Sequence, residues 1–241
     1  MKTEAIIFDY GNTLIEFSSA QLRLCDRALG SAIRELYGEL DVNQFHKIRE
    51  QMRQSMFKEN PPNYRERDLK EATADLLRRL HGVAPTPEQV EIIREARGRV
   101  FVDVVQLPKF LHNVLGKLKK RHKIALLSNY PSGRDIRTSL DKIDITQYFD
   151  VIVVSGEVGY AKPHPKPFEI VLSQLSCPKE CVIHVGDNWL ADIQGAARMG
   201  IRAIHTTQYQ PYEKIERKED DFPPVATIEH LQELDGLLVP K

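Results

Sequence analysis

Five short aliphatic runs limit this chain to a narrow set of folds: residues 5–8, 124–127, 151–154, 182–185 and 201–204. Each is largely apolar, rich in branched side chains and followed by polar or turn residues. A run of this kind forms a strand when both of its faces are buried. From the second run onward, helical stripes alternate with the strands. Val114, Leu115 and Leu118 precede the second run, and Phe168, Val171, Leu172 and Leu175 precede the fourth. The alternation predicts an α/β fold, a parallel sheet with helices on both faces.

Between Glu16 and about residue 105 the pattern changes to helical periodicities alone. One stripe runs through Leu22, Leu29, Ile33 and Leu36 and ends near Gly38. A second runs through Phe45, Ile48, Met52 and Met56 and stops before Pro61-Pro62. A third holds Leu69, Ala72, Leu76, Leu77 and Leu80 up to Gly82, and a fourth holds Val90, Ile93 and Val100. Proline and glycine punctuate them as helix breakers do. The expected organisation is a core of residues 1–16 and 106–241 with a helical domain, residues 17–105, inserted after the first strand.

Composition removes several classes of function. Basic and acidic residues number 34 each, so no net field draws the chain to nucleic acid or to an anionic membrane. Cys25, Cys177 and Cys181 are too few for a disulfide framework, and no second pair completes a zinc site. No apolar run approaches the roughly 20 residues of a membrane span, and the N-terminus runs directly into a strand. These features predict a cytoplasmic protein. The charged stretch from Glu213 to Asp221 reads as a solvated loop.

The polar residues that end the strands carry the chemistry. Asp9 follows the first strand, with Thr13 four positions on. Ser128 and Asn129 follow the second. Lys162 lies before a helix in Gly159-Tyr160-Ala161-Lys162-Pro163-His164-Pro165. Asp187 follows the fourth strand in Gly186-Asp187, and Asp192 opens the next helix. A right-handed parallel sheet brings all of these to one edge. A carboxylate there can accept a phosphoryl group. Magnesium, which needs one or two carboxylates, can bridge it to an anionic substrate. Asp9 and Asp187 can supply those carboxylates, and Lys162 a neutralising charge. Ser128 or Thr13 can hold phosphate oxygens. Asp192 can hold Lys162 or a metal-bound water.

These four segments resemble the four motifs of the haloacid dehalogenase superfamily of hydrolases. Asp9-Tyr10-Gly11-Asn12-Thr13 is similar to its Asp-x-Asp-Gly-Thr. Ser128-Asn129, Lys162-Pro163-His164-Pro165 and Gly186-Asp187 through Asp192 match the other three in order. The helical insertion resembles the cap of the phosphoglycolate phosphatase and β-phosphoglucomutase type. The resemblance implies a Rossmann-like core with strand order 5-4-1-2-3 and a movable cap. It also implies Asp9 as nucleophile, Ser128, Asn129, Thr13 and Lys162 around the phosphate, and Mg2+ on Asp9, Asp187 and the Gly11 backbone carbonyl. The expected partner is a small phosphorylated molecule, with monomer and homodimer both open.

Gly11 departs from the family pattern, because family phosphatases carry the acid/base aspartate there. An Mg2+-dependent phosphohydrolase, weakened or redirected toward acyl and aryl phosphates, is the leading expectation. A haloacid dehalogenase lacks that aspartate too, but its fourth motif loses Gly-Asp. A phosphonoacetaldehyde hydrolase would need a buried cap lysine, for which Lys47, Lys58 and Lys70 are the candidates. A phosphate-ligand-binding protein without turnover and a sugar-phosphate mutase complete the alternatives. Arg23, Arg27, Arg49, Arg53 and Arg65 are cap candidates for a substrate anion.

Overall fold

The computed structural model describes residues 2–58, 61–209 and 218–238, without the side chains of residues 54–58. Residues 213–217 of the charged stretch, and the side chains of Met56 and Lys58, therefore lie outside the described residues. Of the rest of that stretch, Lys218, Glu219 and Asp220 are exposed, while Asp221 accepts the Trp189 indole N–H at 2.7 Å.

Six parallel strands form one sheet: β1 (Ala5–Phe8), β2 (Lys123–Ser128), β3 (Val151–Val154), β4 (Val182–Gly186), β5 (Arg202–Thr206) and β6 (Ala226–Ile228), in the order β3-β2-β1-β4-β5-β6. The expected order 5-4-1-2-3 is corrected by β6, which extends the β5 edge with Ile204 opposite Ala226. Three residues with only Ile228 fully buried leave no aliphatic run to read. β1 sits at the centre, with Ile6 beside Ile124 on one side and Ile183 on the other.

Alternate residues of β1 serve opposite faces. Ile6 and Phe8 pack with Leu111, Leu115 and Leu140, which come from α5 (Leu111–Lys119) and α6 (Gly133–Lys142). Ala5 and Ile7 pack with Phe168, Val171 and Leu175 of α8 (Pro165–Leu175). A short α7 (Ser155–Val158) follows β3. Burial on both faces is why these strands lack polar alternation. Each fully buried Leu, Ile or Phe contributes about 1.5–3 kcal/mol of transfer free energy.

Four helices make the inserted cap: α1 (Ser19–Tyr37), α2 (Val42–Lys58), α3 (Leu69–His81) and α4 (Pro87–Val104). Leu29, Ile33, Phe45, Ile48, Leu76, Leu77, Val90 and Ile93 form their own apolar cluster. Gly38 and Gly82 close α1 and α3 at φ of 85° and 72°, a region that penalises a Cβ. Thr86 starts α4 with a capping box to Gln89 and proline at the first turn. α4 joins two cores, because Val90 and Ile93 lie in the cap cluster and Phe101 in the sheet cluster. No described helix is long and apolar enough to cross a membrane.

Candidate active site

The chain completes β1, β2 and β3 on one side of β1 and returns for β4 on the other. That reversal opens a crevice at the carboxyl ends of the strands, where open α/β sheets bind ligands. Asp9 lies one residue past β1, with its N–H donated to the Val185 carbonyl at 2.9 Å. Ser128 ends β2, and Gly186 ends β4 one residue before Asp187.

The loop after Asp9 is held by its own backbone. The Tyr10 carbonyl accepts from Leu14 at 2.9 Å and Ile15 at 3.2 Å, and the Asn12 N–H donates to Ile15 at 2.7 Å. Asn12 takes the left-handed turn at φ 57°, and its Oδ1 accepts from the Phe17 N–H at 3.0 Å. Its amide therefore shapes the loop. Thr13 is fully buried and its hydroxyl donates to Asp187 Oδ1 at 3.4 Å. Tyr10 packs behind the loop, with its hydroxyl 2.8 Å from Ser139.

Lys162 is the centre of the arrangement. It is 1% exposed, and Nζ donates to Asp9 Oδ1, Asp192 Oδ1 and the Leu127 carbonyl, each at 2.7 Å. An ammonium has three protons, so all three are committed. Lys162 thus acts on a bound anion by charge unless one of these bonds breaks. Burial opposes the lysine charge, but the carboxylates of Asp192 and Asp9 outweigh it and raise its pKa. Asn129 fixes the backbone at this point: Oδ1 accepts the Lys162 N–H at 2.8 Å, and Nδ2 donates to the Lys162 carbonyl at 2.9 Å. Expected at the phosphate, Asn129 has its carboxamide engaged in placing Lys162.

Asp192 is engaged through both of its oxygens. Oδ1 accepts from Lys162 and, at 2.9 Å, from His184 Nε2, and Oδ2 accepts the Asn188 N–H at 3.0 Å. Burial raises its pKa, yet Lys162 and His184 hold it below the usual carboxylate range. Of its two expected tasks, the geometry matches the support of Lys162. Gly186 makes room for it, since a Cβ there would lie 2.3 Å from Asp192 Cγ. His184 was not singled out in the sequence, because a histidine inside an apolar strand gives no pattern that separates support from packing.

Asp9, Asp187 and Asp192 each place a carboxylate oxygen within 4.8 Å of the others. Ionised together, the three carboxylates against one ammonium would leave two negative charges, the charge a divalent cation balances. With Asp192 engaged by Lys162 and His184, Asp9 and Asp187 are the hard oxygen donors of the cluster best placed for a cation. That donor set suits a cation such as Mg2+. The crowding is visible in the acids. Burial raises the Asp9 pKa against the pull of Lys162. Burial, then the charges of Asp9 and Asp192, push Asp187 from 3.8 up to about 8.

A raised folded-state pKa means that ionised Asp187 opposes folding. In metal-free protein its cost grows as pH rises from 3.8 toward about 8, and is complete above that. Asp187→Asn is therefore expected to be more stable than wild type in EDTA above pH 8, with the difference lost near the ordinary carboxylate pKa of about 4. In Mg2+ the order is expected to reverse, because Asp187 is one of the carboxylates that could hold the cation. Urea unfolding with and without Mg2+ checks both signs.

At Gly11 a Cβ would meet only Phe17 Cβ, at 3.6 Å, an ordinary contact. Glycine here leaves open space. Gly11 and Ser128 line a cavity of about 250 Å³ that continues to Phe17, Phe101, Tyr130 and Arg97. The cap reaches the Lys162 segment directly through an antiparallel bridge of Arg65 with Tyr160. Ala161 N–H donates to Tyr64 at 2.8 Å and Glu66 N–H to Gly159 at 3.1 Å.

The motif residue His164 and the cap candidates are placed elsewhere. His164 caps α8, its Nδ1 accepting the Lys166 N–H at 3.1 Å. Lys47 and Lys70 are exposed, as are Arg23, Arg27 and Arg65. Arg49 and Arg53 bind buried Asp26 at 3.0 and 2.8 Å. Arg97, absent from the expected set, is the arginine of α4 that lines the cavity. Its signal was available: Val90, Ile93, Arg97 and Phe101 follow helical spacing, so one charge lies in a buried stripe.

The family model for haloacid dehalogenase-like hydrolases matches residues 3–200. The chain belongs to that family of hydrolases. It is 32% identical over 143 residues to the phosphoglycolate phosphatase of Salmonella choleraesuis (strain SC-B67), which covers 57% of this chain and 56% of that one. The match thus spans little more than half the length of that relative. Glyceraldehyde 3-phosphate phosphatase of Methanopyrus kandleri is 28% identical over 238 residues, 96% of this chain and 95% of that one. The crystal structure of a 2-haloacid dehalogenase from Pseudomonas syringae pv. Tomato DC3000 superposes on this hydrolase with a TM-score of 0.74 at 22% identity, over 98% of each chain. The last likeness is one of fold and does not choose between phosphate and halide as leaving group.

Proposed function

We propose that this hydrolase is an Mg2+-dependent phosphohydrolase that acts on a small phosphorylated metabolite through an aspartyl-phosphate on Asp9. The observation that carries the reading is the buried Lys162 ammonium on Asp9, with the Asp187 carboxylate beside it. Halide displacement from a neutral carbon needs no cation beside the nucleophile, so a further carboxylate at Asp9 is not required to hold one. A phosphoryl group does, because a cation must be held against it. The sequence match to two phosphatases supports the same choice.

Asp9 and Asp187, with the Gly11 carbonyl, would hold the cation, which supplies positive charge to the phosphate oxygens. A carboxylate oxygen of Asp9 attacks phosphorus, the ester P–O bond breaks, and the leaving oxygen takes its proton from solvent, since Gly11 offers none. Water then cleaves the acyl phosphate and frees Asp9. Lys162 keeps Asp9 oriented and offsets charge as it accumulates. Ser128 holds a phosphate oxygen, whereas the buried Thr13 hydroxyl, expected there too, is donated to Asp187 and orients that carboxylate. Residues 17–105 would act as the cap over a core of 1–16 and 106–241.

The test is turnover of p-nitrophenyl phosphate and acetyl phosphate in Mg2+ and in EDTA. A hydroxylamine-sensitive phosphoryl label should appear on the peptide that contains Asp9. Mg2+-dependent turnover with that label is the expected result. Turnover indifferent to EDTA, or wild-type protein inert toward both esters, overturns the proposal.

A further inference from the structure

We propose that Arg97 receives a carboxylate on the leaving group of the substrate, and that the aromatic wall beside it receives a ring-sized apolar body. This rests on the phosphohydrolase reading and names the substrate class of that site: a carboxylated aryl phosphate.

Arg97 lines the cavity that Gly11 and Ser128 also line. Its Nη1 is buried with no hydrogen-bond acceptor among the described residues. The cavity's other arginine, Arg49, is already bonded to Asp26, which also holds Arg53. Asp26 thus serves two guanidinium groups, while Arg97 has the face of Tyr130, with Cζ 5.3 Å from the ring centre, and feels Glu66 by charge without a hydrogen bond to it among the described residues. A buried guanidinium N–H without an acceptor is costly, and a ligand oxyanion supplies the missing partner. The planar fork of arginine suits a carboxylate.

The body of the ligand follows from the walls. Tyr130 stacks on Phe101 with centroids 4.2 Å apart, and Phe17 lies 5.4 Å from Phe101. Ile15, Leu22 and Ile136 complete an apolar lining. The size, about 250 Å³, suits a single ring. Gly11 opens the space between the Asp9 loop and this wall. An aryl leaving group is also what a site without a general acid can expel, because a phenoxide needs less protonation than an alkoxide.

The experiment compares kcat/KM for phenyl phosphate with 3- and 4-carboxyphenyl phosphate in wild type, Arg97→Met and Arg97→Lys. Binding of phenylphosphonate and its carboxylated counterparts is measured by calorimetry on the same proteins in Mg2+. A carboxylate preference of at least about tenfold is expected in wild type for one isomer. It should collapse toward unity in Arg97→Met and recover in part in Arg97→Lys. A preference that survives Arg97→Met, or is absent from wild type in both measurements, overturns the inference. A merely structural role for Arg97 would lower both substrates together and leave their ratio unchanged. If no ester is turned over but the carboxylated phosphonate still binds preferentially through Arg97, the phosphohydrolase reading fails and the anion site stands.

Discussion

Lys162→Met is expected to lose activity and stability together, whereas Asp9→Asn loses activity alone. The difference follows from what each removal leaves behind. Methionine fills the volume of the lysine stem but leaves Asp9, Asp192 and the Leu127 carbonyl without the ammonium they share. Breaking a buried pair by deleting one partner costs about 3–5 kcal/mol. Here two acids lose the same cation, and Asp192 keeps only His184 and the Asn188 N–H.

The penalty has a pH signature. Without Lys162 the folded-state pKa of both acids rises, so the variant loses stability as pH climbs above their unfolded values and recovers where both are protonated. Asp9→Asn acts in the opposite sense. It keeps the Lys162–Asp192 pair and removes one of the two carboxylate charges that raise Asp187. Its unfolding midpoint in EDTA should equal or exceed that of wild type, while phosphate ester turnover is lost. Urea titrations at pH 5 and 8, paired with p-nitrophenyl phosphate assays, separate the two. Lys162→Met that is as stable as wild type at pH 8 would mean the triad contributes nothing net, and turnover by Asp9→Asn would remove Asp9 as nucleophile.

The same residues show what a sequence can disclose. Asp9, Ser128, Lys162 and Asp187 were legible because parallel topology brings the carboxyl ends of buried strands to one edge, so position along the chain becomes position in the site. The bonding state of each group was not. Nothing in Lys162-Pro163 says that all three ammonium protons are taken, and nothing in Ser128-Asn129 says that the amide holds the lysine backbone. Those facts depend on loop conformations set by tertiary contacts. β6 escaped because three residues with one buried side chain carry no period. The cap helices were legible from their stripes and breakers, but their approach to the core was not. Tyr64 and Glu66 bond to the backbone around Tyr160, and main-chain bonding of that kind leaves no side-chain pattern. Arg97 lay between these cases, marked by its place in an apolar stripe but interpretable only once α4 was seen to join both cores.

Gly11→Asp is expected to raise kcat/KM on alkyl phosphates by about 10²–10⁴, the usual contribution of general acid–base help, or about 3–5 kcal/mol of barrier. The loop admits the change: the new Cβ meets only Phe17 Cβ at 3.6 Å. The gain must depend on the leaving group. An alkoxide departs poorly without a proton, so methyl or glyceryl phosphate should benefit most. Acetate departs readily, so acetyl phosphate should change by no more than a few fold. A plot of log kcat/KM against leaving-group pKa should be steep for wild type and shallow for the variant. Gly11→Asn supplies the control, with nearly the same shape and no titratable proton. If asparagine gives the same gain, the effect is one of packing in the cavity. If neither variant improves alkyl esters while both retain acetyl phosphate turnover, the barrier lies elsewhere, and the glycine serves the space it opens toward the aromatic wall.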